Sequence, residues 1–155
     1  MHFFKTVVVT SVAVAICGCG ESSEELRSRA ITGDMSALKE LADRGDAEDQ
    51  GDIGFMYYEG FGVPQDYAEA LKWFRLSAEQ GYVYAQSSLA RIYRSGRGVP
   101  KDHVESYAWY SVAVSGGDAD AANNRDIVAG ELTPDQLSEG QKRAGELFKK
   151  IGSGK

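Results

Sequence analysis

GFGVPQD at residues 60–66 and GRGVPKD at residues 96–102 are two copies of one motif, and they lie 36 residues apart. Aligning the chain with itself at this spacing places residues 47–82 over residues 83–118 with ten identical positions, where average residue usage gives about two. A repeat of this length is typical of solenoids, in which each unit is one supersecondary element. The identical pairs that define the unit are Gly60/Gly96, Gly62/Gly98, Val63/Val99, Asp66/Asp102, Trp73/Trp109 and Gly81/Gly117.

Each unit has the pattern of a helix, a glycine-rich turn and a second helix. The first helix of the second unit has one apolar face, with the spacing i, i+4, i+7 and i+8, formed by Ala85, Leu89, Ile92 and Tyr93. Gly96 is expected to end this helix, because glycine adopts the left-handed conformation without strain. For the same reason Gly81 and Gly117 are expected to end the second helices of the two units.

Capping boxes mark where several helices begin. Three pairs of residues have the required spacing of three: Ser22 with Glu25, Asp66 with Glu69, and Asp102 with Glu105. The first pair predicts a short first helix, and the other two predict the start of the second helix in each unit.

Partial units flank the two full repeats, at residues 35–46 and 119–130. Strand-like alternation of apolar and polar residues is not visible in the sequence. We therefore expect one repeat domain over residues 24–151, with about eight helices.

A last helix is predicted at residues 134–151, because Thr133 and Gln136 have capping-box spacing around a proline at the first helical position. Its inner face is expected to consist of Leu137, Ala144, Leu147, Phe148 and Ile151. Gly140 and Gly145 each cost about 1 kcal/mol relative to alanine inside a helix. Their presence predicts close packing of this helix on the preceding ones.

The repeated unit resembles the Sel1-like repeat, a relative of the tetratricopeptide repeat. The resemblance rests on the glycine–valine–aspartate turn, on a preceding tyrosine, and on the aromatic pairs Trp73-Phe74 and Trp109-Tyr110. It covers nearly all of residues 35–130. Two departures stand out: Asp49 replaces the first alanine of unit one, and residues 114–116 replace an Ala-Glu-Gln segment in unit two.

This resemblance implies an all-α fold, a short right-handed α-solenoid of helix hairpins with a C-terminal capping helix. It also implies a non-enzymatic scaffold that binds a protein or peptide in the groove lined by the first helices. Groove positions lie beside the buried stripe of those helices, and the candidates for partner binding are Phe55, Tyr58, Ser88, Arg91 and Arg94. The alternative is that the aromatics pack beneath the preceding helix and the arginines are merely solvated.

The first residues have the pattern of an export signal, with Lys5 followed by an apolar run that is too short to span a bilayer. The junction at residues 16–19 resembles the bacterial lipobox, which implies cleavage after residue 18 and lipidation of Cys19. Residues 19–23 would then be a tether that anchors the domain on the periplasmic side of the envelope. Gly20 after the cysteine favours the outer membrane, and an ordinary secretory signal is the alternative.

Composition excludes several kinds of site. The net charge of −6 disfavours general binding to nucleic acid. Both cysteines lie at the leader junction, so neither a disulfide framework nor a thiolate metal site is expected in the domain. His103 is the one histidine after the leader, which leaves no base for a nucleophilic triad. We expect no catalytic residues, no metal and no cofactor.

Two other classes of function stay open. The first is a hydrolase acting on the cell wall or on β-lactams, by analogy with cysteine-rich Sel1-like proteins, although this chain lacks their repeated cysteine pairs. The second is an immunity or inhibitor protein for a specific enzyme, to which a small acidic solenoid is suited electrostatically.

Overall fold

The computed structural model describes residues 20–153, which form eight α-helices and no strand. The helices are α1 (Ser23–Ile31), α2 (Met35–Arg44), α3 (Ala47–Glu59), α4 (Tyr67–Glu79), α5 (Val83–Ser95), α6 (His103–Ser115), α7 (Ala119–Glu131) and α8 (Pro134–Gly152). The prediction of an all-α solenoid is confirmed. Cys19 and the predicted leader lie outside the described residues.

The two repeats are the hairpins α3–α4 and α5–α6, which have the same turn. Gly60 and Gly96 end α3 and α5 in the left-handed conformation, with φ of 77° and 72°. Asp66 and Asp102 cap α4 and α6 through their side chains. Sequence repetition therefore corresponds to repetition of the backbone.

The capping boxes predicted at Asp66 and Asp102 form only in part. Each aspartate accepts from the backbone of its helix, but its own amide donates to the carbonyl of Tyr57 or Tyr93 at 2.9 Å. That bond closes the repeat turn and leaves no donor for the glutamate three residues later. The boxes at Ser22 and Thr133 are complete, as predicted.

Gly81 and Gly117 end the second helices, as predicted, each directly after the cap residue. Helices α4 and α6 are followed by Gln80 and Gly116, both in the right-handed conformation, and only then by Gly81 and Gly117 with φ of 94° and 100°. The amide of Gly117 donates to the carbonyl of Val114 at 3.1 Å, which tightens the last turn before the chain reverses. A Cβ atom on Gly117 would meet nothing within 4 Å. Gly117 is therefore required for its backbone conformation after the helix, and packing does not exclude a side chain there.

The turn valines of the two units are not equivalent in burial, although the repeat predicts one role for both. Val63 is buried in a cluster with residues of α1 and α2, whereas Val99 is only half-buried. The reason is the neighbour of each turn. The first turn meets the end of α1 at the buried Ala30, and the second meets the start of α4 at Tyr67, which is itself half-buried.

Each glycine-rich turn also touches the preceding unit. A Cβ atom on Gly98 would lie 2.6 Å from the Cβ of Tyr67, at the start of α4. A Cβ atom on Gly62, the equivalent residue, would collide with the backbone carbonyl of Ala30 at the end of α1. A side chain is therefore excluded at both positions by stacking between units and by the positive φ of each glycine.

The core consists of two clusters that both contact Tyr57. The smaller cluster joins α1, α2 and α3, and Trp73 packs against it. The larger cluster extends from α3 to α8 and contains Trp109. Apolar burial of this kind is the main favourable term in the stability of stacked repeats.

Helix α8 packs against α6. Gly140 lies on the ring of Tyr107, where a Cβ atom would come within 2.8 Å of Cδ1, so the close packing predicted there is confirmed. Gly145 has open space around it and Phe148 is exposed, so both predictions for these residues are wrong. The reason is that α8 rests mainly on one neighbouring helix, which buries only a narrow stripe of its surface.

None of the helices within residues 20–153 combines the length and the hydropathy needed to cross a membrane.

Candidate functional site

A groove runs between α5 and α7, and Tyr110 of α6 forms its floor. One cavity of about 320 Å³ has walls formed by Tyr84, Ser87, Ser88, Arg91, Asp118, Asp120, Ala121 and Asn124. A second cavity of about 370 Å³ shares Arg91, Tyr110 and Asn124 with the first. The two cavities are therefore continuous, and we call them together the groove.

Exposed aromatic side chains extend the groove towards α3. The rings of Phe55 and Phe61 lie 5.7 Å apart, and those of Phe55 and Tyr84 lie 6.3 Å apart, both edge to face. Phe61 is 46% exposed and Tyr84 is 41% exposed, whereas Phe55 is half-buried between them. We call these three residues the aromatic ledge. Because Tyr84 also lines the first cavity, the ledge and the groove form one surface.

Tyr58 is only 6% exposed, so the prediction that its ring is an exposed part of the surface is wrong. The guanidinium groups of Arg91 and Arg97 lie over its ring, with Cζ at 5.4 and 5.5 Å from the centroid. Arg97 also donates a hydrogen bond of 2.6 Å to the Tyr58 hydroxyl. The buried Tyr58 ring thus contacts the guanidinium groups of Arg91 and Arg97, and it is not itself available to a partner.

The other candidate residues fall into different environments. Arg91 is exposed and lines both cavities, and no carboxylate of residues 20–153 pairs with it. Arg94 lines the second cavity but pairs with Glu131 at 3.0 Å. Ser88 lines the first cavity although it is buried, so its exposure was wrongly predicted. Their role in binding stays a prediction.

The residues of the repeat motif lie away from the groove. Neither the turn valine Val99 nor the glycines Gly98 and Gly117 lines either of its cavities. These residues shape the hairpins that carry the groove, and they do not contribute to its surface.

The groove contains charges of both signs. The carboxylate of Asp118 caps α7, accepting from the amides of Asp120 and Ala121 at 3.0 Å, and Ser87 donates to it. Arg91 lines the same cavity. Burial raises the pKa of Tyr110 on the floor, against the opposing effect of the arginines. Tyr110 therefore stays neutral at physiological pH, and the charge of the groove comes from the aspartates and Arg91.

Sequence reasoning missed Tyr84, Tyr110 and Arg97. Tyr84 lies in the first turn of α5, where the first repeat has the polar Glu48, so comparison of the repeats did not mark it. Tyr110 enters the sequence comparison only as the second member of the aromatic pair Trp109-Tyr110. The signal available was its hydroxyl, because the equivalent Phe74 has none.

The described residues contain no group of three or more His, Cys, Asp or Glu side chains placed to hold a metal ion. His103 lies at the start of α6, with Nδ1 3.4 Å from a carboxylate oxygen of Glu131. It lines a separate small cavity of about 290 Å³ together with Lys101 and Gln136.

A stack of helical hairpins with a groove along the first helices defines the class of the protein as an α-solenoid. A family model described as Sel1 repeat matches residues 47–82 and 83–118, the two windows that align with each other in this sequence. The chain is also 30% identical to a Sel1 repeat protein from Oxalobacter formigenes, with a TM-score of 0.52; the match covers 67% of this chain and 96% of that one. The chain belongs to the Sel1 repeat family.

A longer protein has a similar fold. The structure of c5321, described as a protective antigen present in uropathogenic Escherichia coli strains and displaying an SLR fold, matches with a TM-score of 0.74 at 30% identity. The match covers 84% of this chain and 27% of c5321, so this chain spans about a quarter of that protein's length. No curated protein matches the sequence.

Proposed function

We propose that this protein is a non-enzymatic interaction protein that binds a segment of another protein in the groove. The observation that carries the proposal is the continuous surface formed by the aromatic ledge and Arg91, on a fold whose family is generally associated with protein interaction. Exposed aromatic and arginine side chains are the residues most enriched at binding hot spots. No observation on residues 20–153 favours the hydrolase or the inhibitor alternative.

Site-specific photo-crosslinking in cells tests this function. A photoreactive amino acid in place of Tyr84 would lie in the groove. The same amino acid in place of Leu76 on α4 is the control, because Leu76 is exposed but does not line the groove. We expect a discrete crosslinked protein from position 84 that is missing from position 76. Equal crosslinking at both positions, or none at position 84, would contradict the proposal.

We further propose that the domain is held on the periplasmic side of the outer membrane by lipid on Cys19. The support is the lipobox resemblance of residues 16–19 together with the short apolar run before it. Several acyl chains give stable anchoring where one chain gives only marginal binding. The first helix, α1, begins at Ser23, so the domain would lie close to the membrane surface.

Metabolic labelling with an alkyne fatty acid tests the anchor, and the sequence offers a matched control. We expect the label on the wild-type protein and on Cys17→Ala, and its loss on Cys19→Ala. Label that depends on Cys17, or no label at all, would overturn the proposal of a lipid anchor at Cys19.

A further inference from the structure

We propose that the groove selects an extended peptide segment that carries an apolar side chain and, about three residues away, a carboxylate. This inference rests on the proposed function and names the chemistry of the partner. The apolar side chain would contact the aromatic ledge, and the carboxylate would bind Arg91.

The carboxylate end follows from the state of the arginines. Arg94 is neutralised by Glu131, whereas no carboxylate of residues 20–153 pairs with Arg91 or Arg97. In a chain with 23 acidic residues against 17 basic ones, two unpaired arginines on one tyrosine are notable. Both guanidinium groups lie over the Tyr58 ring, with Cζ 5.4 and 5.5 Å from its centroid, and this contact restrains them in advance, which reduces the entropy lost when they bind an anion.

A planar guanidinium in this position suits a carboxylate. Its N–H donors lie in the plane of the group, so stacking on a ring leaves several of them available for a bidentate hydrogen bond. The Arg97 side chain uses one donor on the Tyr58 hydroxyl, whereas Arg91 lines both cavities of the groove. We therefore assign the contact with the carboxylate to Arg91.

The apolar end follows from the aromatic ledge. Phe55, Phe61 and Tyr84 pack edge to face, and Phe61 and Tyr84 are among the exposed large apolar side chains of the described domain. Burying an apolar side chain of a partner against such rings contributes about 25 cal/mol per Å² of apolar area. The ledge thus supplies the apolar part of the binding energy.

The spacing follows from the geometry of α5. Tyr84 and Arg91 are seven residues apart on one helix, which places their Cα atoms about 10 Å apart along its axis. An extended peptide advances about 3.3 Å per residue, so it covers this distance in about three residues. A carboxylate beside the apolar side chain would fall short of Arg91.

The acidic residues of the groove add selection against the wrong arrangement. Asp118 and Asp120 line the cavity between Tyr84 and Arg91, where Ser87, one turn after Tyr84 on α5, donates to Asp118. A carboxylate placed there meets like charge, which opposes binding. A segment with one acidic side chain, placed at Arg91, is therefore favoured over a segment with many acidic side chains.

Fluorescence anisotropy with defined peptides tests this inference on the full-length protein. The probes are fluorescein-labelled peptides of glycine and serine that carry one phenylalanine and one glutamate at separations of one, three or six residues, in both orders. We expect the separation of three to bind best in one order. Replacing its glutamate with glutamine should weaken binding about ten-fold, because the charge-assisted hydrogen bonds to Arg91 are lost.

Protein variants link the effect to Arg91. In Arg91→Gln, the glutamate and glutamine peptides should bind equally, whereas Lys142→Gln, which makes the same charge change on exposed α8, should keep the ten-fold difference. Circular dichroism and the melting temperature establish that both variants fold. A glutamate effect that survives in Arg91→Gln, or a preference for another separation, would overturn the inference.

A random peptide library displayed on phage separates failure of the inference from failure of the proposed function. If selected peptides lose binding to Phe55→Ala but show no acidic preference, the groove binds peptides and the inference is wrong. If no selected peptide depends on Phe55 or Arg91, the proposed function and the inference are both wrong.

Discussion

Arg27 of α1 donates two hydrogen bonds to one carboxylate oxygen of Asp49 on α3, at 2.8 Å from Nη2 and 3.2 Å from Nε. Asp49 is only 1% exposed, and Ser23 donates to its other oxygen at 2.9 Å. The second repeat has the buried Ala85 at this position. The departure from the family pattern at Asp49 therefore serves to attach α1 to the first repeat.

Removing Arg27 alone is expected to destabilise the protein strongly. Arg27→Ala leaves the Asp49 carboxylate buried without its cation, which costs about 3–5 kcal/mol in comparable pairs. The free energy of unfolding in urea measures this. In Arg27→Ala/Asp49→Ala part of the loss should be recovered, because the fully buried carboxylate is removed while the partly exposed Asp52 still lacks Arg27. Lys72→Ala, which breaks a surface pair with Glu69, should cost at most about 1 kcal/mol. Equal losses in the two single variants would contradict this account.

Asp52 is expected to make stability depend on pH. Burial raises the pKa of this carboxyl, more than Arg27 lowers it, and its side chain is 31% exposed. A raised folded-state pKa gives stability that is present below the unfolded pKa of about 3.9 and is lost as pH rises through the folded value. Asp52→Asn should therefore unfold at higher urea than the wild type at pH 7, and this difference should shrink towards pH 4. A less stable variant at pH 7 would mean that the ion pair with Arg27 outweighs burial.

Two glycine substitutions are expected to have opposite effects. Gly98→Ala introduces a side chain at φ 72° and against Tyr67, and should lower the free energy of unfolding by at least about 2 kcal/mol. Gly145→Ala places the same methyl group in open space on α8, and should raise it by about 0.5–1 kcal/mol. Thermal and urea denaturation measure both. Similar losses in the free energy of unfolding at the two sites would show that the contact with Tyr67 does not exclude a side chain at residue 98.

Hydrogen exchange is expected to be fastest in α1 among the helices. This helix has nine residues and buries only Leu26 and Ala30, so little apolar contact holds it closed. Mass spectrometry of exchanging peptides measures the order. Arg27→Ala should speed exchange in α1 and leave α6 unchanged, because α6 belongs to the larger core cluster. Uniform acceleration in both helices would indicate that the domain unfolds as a single unit.

The sequence alone predicted the helices well, because each depends on local signals. Capping residues, turn glycines and the apolar stripe are spaced along the chain itself, and the ends of α2 and the turn at Gly60 follow from them. What it missed depends on neighbours from elsewhere in the chain. Tyr58 is covered by Arg97, 39 residues away, and repeat comparison carries no information on that contact. The partial exposure of Val99 likewise depends on which helix its turn meets.

Differences between the repeats also have consequences that only the packing shows. The side chain of Gln50 accepts a hydrogen bond of 2.8 Å from Gln80. At the equivalent Gln86, the buried Oε1 atom has no partner within residues 20–153, because Gly116 stands where the first repeat has Gln80. A Cβ atom on Gly116 would lie 2.5 Å from Val83. The side chain of Val83 thus occupies the space that a side chain at residue 116 would need to donate a hydrogen bond to Gln86.

The glycine turn of each unit packs on the unit before it, through Gly62 against α1 and Gly98 against α4. Each unit therefore brings with it the residues that pack on the preceding unit. A further unit that has a small residue such as Ala85 at the position of Asp49 would therefore lengthen the molecule through one more boundary of the same kind. A protein built of such units can gain or lose whole repeats, which accounts for the similarity of the two adjacent units.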